Sequence, residues 1–167
     1  MKKYFLPSIG LLFLLIACGP TKDDAVKFND RIVSVQKMCL AAEGSFYDVC
    51  DKLNADDIKK ALADFKSNVT TCAEKIEKIE AHESFDAYKQ SAVNLLKSYK
   101  GMLDVEFTEY ARLYSVPSEV FNKDDEANQK ELVVKINISL DLLNKNFIEE
   151  QKRFADKWGF ILEKKTY

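Results

Sequence analysis

Residues 54–81, NADDIKKALADFKSNVTTCAEKIEKIEA, decide the fold class. Their apolar residues recur at alternating steps of four and three, which is the spacing of one face of an α-helix. The residues of this row are Ile58, Leu62, Phe65, Val69, Cys72, Ile76 and Ile79. Asn54 is a favourable N-cap, and the acidic residues that follow it suit the positive end of the helix dipole. The stretch therefore predicts a long amphipathic helix with one buried face.

Three other stretches show the same periodicity, over residues 24–43, 84–116 and 123–158. Gly44 is expected to end the first of these helices and Gly159 the last, because glycine suits the position just after a helix. Short connections between helices favour antiparallel neighbours. We therefore predict an all-α fold, an antiparallel up-down-up-down four-helix bundle. The alternative, an extended coiled coil, is disfavoured by three breaks in so short a chain.

The composition argues against several classes of protein. The chain has 167 residues, a net charge of −2, five glycines and three prolines. The near-neutral charge argues against a nucleic-acid binder, which usually carries a basic face, and the scarcity of turn residues argues against a many-stranded β fold. The spacings typical of nucleotide, haem, zinc and di-iron sites are missing, and we expect His82 to lie exposed in a turn. We therefore expect no metal, no cofactor and no catalysis.

The beginning of the sequence has the pattern of an export signal. A basic start precedes an apolar run over residues 5–17. At 1.5 Å per residue this run is about 20 Å long, too short to cross a membrane as a helix. It ends in Leu15-Ile16-Ala17-Cys18, which resembles the lipobox of bacterial lipoproteins. The alternative is a plain signal peptide with an incidental cysteine.

The lipobox implies an organisation for the whole chain. In bacterial lipoproteins the cysteine thiol is lipidated and the peptide is cut before it, so residues 1–17 would be the signal peptide. Cys18 would carry the covalent lipid, and residues 18–23 would form a tether. We expect the helical domain over residues 24–162 and a short tail over residues 163–167.

Two further tracts resemble those of surface lipoproteins. Lys22-Asp23-Asp24 is similar to the surface-export signal of Bacteroidetes lipoproteins; the alternative is an acidic, solvated helix start. Residues 25–36, AVKFNDRIVSVQ, resemble the opening of the mature domain in a family of small helical surface lipoproteins of Bacteroidetes and spirochaetes. That family has no known activity. The resemblance implies a helical fold, an outer-membrane anchor and a surface-exposed location, and it transfers no catalytic residues.

Three cysteines remain after Cys18, in a compartment that we expect to be oxidising. If the first helix ends near Gly44, Cys39 and Cys50 flank a short loop, whereas Cys72 lies well inside the second helix. A disulfide requires Cα atoms within about 7 Å of each other. Geometry therefore favours a Cys39–Cys50 disulfide, with Cys72 a buried core thiol. The alternative is three reduced and buried cysteines.

Two expected loops, over residues 44–50 and 116–122, would share the end of the bundle farthest from the lipid. Their apolar side chains are not explained by periodic helix packing. The candidate partner-binding residues are Phe46, Tyr47, Val120 and Phe121, rimmed by Asp48, Asp51, Asp124 and Asp125. The alternative is a cap that closes the end of the bundle and packs inward.

These observations predict a lipoprotein of the cell envelope or surface that acts by binding and not by catalysis. We expect its membrane contact to be the lipid on Cys18, and its partner to be a protein or surface ligand and not a nucleic acid. The alternative is a structural spacer or accessory subunit of an envelope complex. An enzyme with an unrecognised site is less favoured.

Overall fold

Helix accounts for 84% of the part of the chain that the structure describes, where no strand occurs. The computed structural model describes residues 19–52 and 54–162. In chain order its elements are α1 (Lys22–Cys50), α2 (Ala55–Lys78), a 3-10 turn (Glu83–Phe85), α3 (Asp86–Asp104), α4 (Glu106–Tyr114) and α5 (Lys123–Trp158). The predicted all-α class is confirmed. The predicted signal peptide over residues 1–17, the predicted lipid site Cys18 and the predicted tail over residues 163–167 lie outside the described residues.

Two of the predicted helix boundaries are confirmed. The side chain of Asn54 accepts a hydrogen bond from the backbone N–H of Asp57 at 3.1 Å and begins α2 as its N-cap. Gly159 ends α5 in the left-handed conformation, with φ of 69°, which a side chain would strain. Both signals act within one turn of backbone, and helix ends that depend on such local signals can be predicted from sequence.

The first helix does not end at Gly44, so the loop predicted over residues 44–50 is wrong. Helix α1 continues to Cys50, because Phe46 and Cys50 extend its apolar row and both are buried. A glycine inside a helix costs about 1 kcal/mol, whereas burying a phenylalanine side chain contributes about 1.5–3 kcal/mol. The packing of Phe46 outweighs the weak stop signal of Gly44.

The third predicted helix is divided into α3 and α4. The chain bends at Val105, which has φ of −119° and ψ of −74° and exposes its side chain. The hydroxyl of Thr108 donates a hydrogen bond of 2.7 Å to the carbonyl of Leu103, next to the bend. The apolar row shifts by one residue here, from Met102 to Leu103, and both of these side chains remain buried.

Aromatic side chains fill the two ends of the core. The distal cluster, where α1 ends, contains Phe46, Tyr47, Phe65, Phe107, Tyr110 and Tyr114. The proximal cluster, where α1 begins, contains Phe28, Phe85, Tyr88, Phe147, Phe154 and Trp158. Helix α1 packs on α2, and α2 packs on α3 and α4. Helix α5 also packs on α3 and α4. None of the helices in the described residues is both long and apolar enough to cross a membrane.

Candidate functional site

Phe46 and Tyr47 belong to the core and not to an exposed tip. Phe46 exposes 1% of its surface, and its ring lies 5.6 Å from that of Phe65 in a stacked arrangement. Its edge meets Phe107 at 5.8 Å between ring centroids. Tyr47 is half-buried and lies 5.5 Å from Tyr110. Phe46 therefore cannot contact a partner from its buried position, and its side chain closes the distal end of the core.

Val120 and Phe121 lie in a different setting, in the connection between α4 and α5. Val120 is 63% exposed, and Phe121 is half-buried. Asp125 is part of a helix cap, because its carboxylate accepts a hydrogen bond from the backbone N–H of Asn122 at 3.2 Å. Of the four residues proposed as a tip, Val120 presents the most accessible apolar surface, and its role in binding stays a prediction.

The predicted Cys39–Cys50 disulfide is wrong. Both cysteines lie on α1, eleven residues apart, which separates them by about 16 Å along the helix axis. That distance exceeds the reach of a disulfide. All three described cysteines are buried, so the prediction of a core position for Cys72 is confirmed.

Two polar groups lie inside the core, and sequence reasoning did not select them as buried. Asn29 accepts hydrogen bonds from the Tyr88 hydroxyl at 3.1 Å and from the Gln151 amide at 2.9 Å, which ties α1 to α3 and α5. The Glu43 carboxylate accepts a hydrogen bond of 3.0 Å from the Tyr99 hydroxyl. Burial raises the pKa of Glu43, and the bond from Tyr99 opposes this only in part.

The raised pKa of Glu43 makes stability depend on pH. A raised folded pKa means that the contribution of this carboxyl to stability is complete below the ordinary value of 4.5 and is lost as the pH rises through the folded value. Glu43→Gln keeps a neutral acceptor for Tyr99. We therefore expect this variant to be more stable than the wild type at pH 8, and to lose that advantage at about pH 4. Urea unfolding at both pH values measures the difference.

Glu80→Gln is the matched control, because Glu80 is exposed. Its stability relative to the wild type should change little between the two pH values. A Glu43→Gln variant whose stability difference stays the same at pH 4 and pH 8 would contradict the assignment of the pH dependence to this carboxyl.

An exposed apolar row follows α5 on the face opposite to its core residues. This α5 row consists of Val134, Ile138 and Leu142, which are 56%, 64% and 58% exposed. Residues spaced by four lie on one side of a helix. The core face of the same helix carries Ile136 and Leu140, which are buried. The sequence contains this second row, but a search for the buried face alone passes over it.

Charges of both signs border the α5 row. Glu131, Asp141 and Lys145 are exposed on its flanks and form no ion pair among the described residues. Lys135 pairs with Glu106 of α4 at 3.0 Å. Because charges of both signs lie beside an apolar centre, this surface is better suited to bind another protein than to bind a polyanion. Binding of a polyanion requires a uniformly basic face.

The described residues contain no group of three metal-ligating side chains. His82 is exposed before the 3-10 turn, where its Nδ1 lies 2.8 Å from the Ser84 hydroxyl. Comparison of the chain with known protein families, curated proteins and solved structures finds no match.

Proposed function

We propose that this protein is a lipid-anchored protein of the cell envelope that binds a protein partner through α5 and does not act by catalysis. The lipobox supports the anchor, and Lys22-Asp23-Asp24 supports display at the outer surface. Two or three acyl chains hold a protein on a membrane stably, because each buried methylene contributes about 0.8 kcal/mol.

The order of the elements supports an inference about where the anchor lies relative to the helices. We interpret the fold as an up-down four-helix bundle in which α3 and α4 together form one leg. Helix α1 would then lead away from the lipid on Cys18, and α5 would return towards it. In this arrangement the α5 row lies along the side of the bundle, clear of both of its ends.

The α5 row is the observation that carries the proposed binding function. Three neighbouring aliphatic side chains, each more than half exposed, face water on a helix whose other face is already packed. Exposed apolar groups of this kind, bordered by polar residues, mark interaction surfaces. The fitting partner is an amphipathic helix of another protein that carries apolar residues and charges of both signs, a recurring mode of protein recognition.

Photo-crosslinking in intact cells tests this surface. A photoreactive amino acid in place of Ile138, in the full lipidated chain, should yield an adduct with a different protein. The same amino acid in place of Lys60, which is exposed on α2, is the matched control and should yield none. Adducts are identified on denaturing gels by mass and by peptide sequencing.

Three outcomes at Ile138 would contradict the proposed partner. Adducts with lipid would indicate a membrane-facing helix, and adducts of twice the mass of the chain would indicate self-association. The absence of any adduct would favour the second candidate function, a spacer or accessory subunit of an envelope complex.

A further inference from the structure

Cys39 of α1 and Cys72 of α2 occupy facing positions in the core. The two helices run antiparallel, and Phe46 stacks on Phe65 with 5.6 Å between ring centroids. Cys39 lies seven residues before Phe46, and Cys72 lies seven residues after Phe65. When two helices run antiparallel, moving seven residues backwards along one helix and seven residues forwards along the other leads from one layer of contacts to another layer two turns away. The stacked rings therefore place the two cysteines in one layer.

A second contact fixes the same register on the outer side of the helices. The Nζ of Lys75 lies 3.5 Å from the Sδ of Met38, one residue away from Cys39 on the same helix. Cys39 and Cys72 expose 2% and 0% of their surfaces, so both side chains lie in the core. The interaction of each thiol with the other raises the pKa of Cys39 and lowers that of Cys72, as expected when two thiols lie close together.

We propose that Cys39 and Cys72 form a disulfide that clamps α1 to α2 in the exported protein, while Cys50 remains a free thiol. The oxidising compartment rests on the proposed export, whereas the pairing rests on the geometry alone. Cys50 is excluded from pairing with Cys39 by its distance along α1. It also lies in the distal part of the core and interacts with Tyr47 and Tyr110 of that cluster.

The oxidation is a thiol–disulfide exchange with a disulfide oxidant, either a protein or a small molecule. One cysteine, as the thiolate, attacks a sulfur of the oxidant and releases that oxidant's first thiolate. The other cysteine, as the thiolate, then attacks the mixed disulfide and releases the second. The chain loses two electrons and two protons, and the oxidant becomes a dithiol. Because both thiols are buried after folding, the exchange takes place before α1 and α2 have packed together.

Peptide mapping of the full chain, isolated from membranes of the cells that produce it, tests the pairing directly. Free thiols are alkylated at lysis, and the unreduced protein is cut with trypsin and with a protease specific for glutamate. The second protease is needed because cleavage after Glu43 separates Cys39 from Cys50. We expect peptide 38–43 to be linked to peptide 67–74, and Cys50 to carry the alkyl group.

Alkylation of all three cysteines, or a link that contains Cys50, would overturn the proposal. A second arm separates its two parts: the purified, reduced chain is refolded with oxidised glutathione. If the link between the two peptides forms there but not in cells, the protein does not reach an oxidising compartment, and the proposed export is wrong. If the link forms in neither experiment, the two cysteines do not lie close enough to pair, and the proposed export stands.

Thermal unfolding gives an independent readout of the clamp. Reduction should lower the melting temperature of the wild type by about 10 °C, because the cross-link no longer restricts the unfolded chain. The Cys50→Ala variant should show the same drop on reduction, and the Cys72→Ala variant should show none. Equal drops in the two variants, or none in the wild type, would overturn the proposal. If Cys72→Ala fails to fold, Cys39→Ala replaces it in the comparison.

Discussion

Replacing Cys18 with alanine is expected to move the protein from the membrane to the soluble fraction and to abolish its labelling by fatty acid. In the proposed lipoprotein the thiol of Cys18 carries the lipid, and alanine has no thiol to replace it. Since a single acyl chain already binds membranes only marginally, the loss of all chains leaves the protein without an anchor. Fractionation of cells grown with a labelled fatty acid measures both effects, which should be nearly complete.

Cys50→Ala is the matched control for this experiment. It also removes one thiol, but from a position buried in the core and far from the lipobox. This variant should keep its label and remain in the membrane fraction. Absence of the label from the wild type would show that the apolar run before Cys18 is an ordinary signal peptide. Retention of the label in Cys18→Ala would show that the lipid is attached to another residue.

The all-helical fold could be predicted because its signals are local and repeated. The apolar row of α2 falls on buried positions at Ile58, Phe65, Val69, Cys72 and Ile76, as its spacing indicates. The start or end of a helix could be predicted where one residue acts on its own turn of backbone, as at Asn54 and Gly159. These interactions depend on residues within four positions of each other, so distant packing does not alter them.

The end of α1 and the pairing of the cysteines could not be predicted, for one common reason. Whether Gly44 stops the helix depends on the energy gained where Phe46 meets Phe65 and Phe107, residues that are distant in sequence. The extra turns of α1 also change the register between α1 and α2. They move Cys39 about 10 Å further from the interhelical turn and place it opposite Cys72. A single misplaced helix end therefore produced both errors.

The α5 row was missed for a different reason. Periodicity identifies the face of a helix that is buried, and α5 satisfies that pattern with Ile136, Leu140 and Phe147. Val134, Ile138 and Leu142 follow a second regular spacing, which becomes informative only when the structure shows that none of the described elements covers it. Among residues 19–52 and 54–162, sequence reasoning thus found the core more readily than the surface proposed for binding.

Phe46→Ala is expected to cost about 3–5 kcal/mol of stability, which corresponds to a fall in melting temperature of about 10 °C or more. The substitution empties the centre of the distal cluster and removes four ring contacts, which Phe46 makes with Tyr47, Phe65, Phe107 and Tyr110. The helices around the site cannot close the space fully, because the aromatic rings beside it are held by their own neighbours, as Phe65 is by Phe107. Chemical denaturation and thermal unfolding of the variant measure the loss.

Val120→Ala separates a core role from a role in binding at the same end of the molecule. Val120 is exposed in the connection that precedes α5, so its truncation should change stability by less than about 0.5 kcal/mol. If Phe46→Ala were as stable as Val120→Ala, the ring of Phe46 could not be in the packed position between α1, α2 and α4. The exposed tip would then again be the better interpretation of Phe46 and Tyr47. A large loss for Phe46→Ala alone leaves Val120 and Phe121 as the residues through which the distal end could bind.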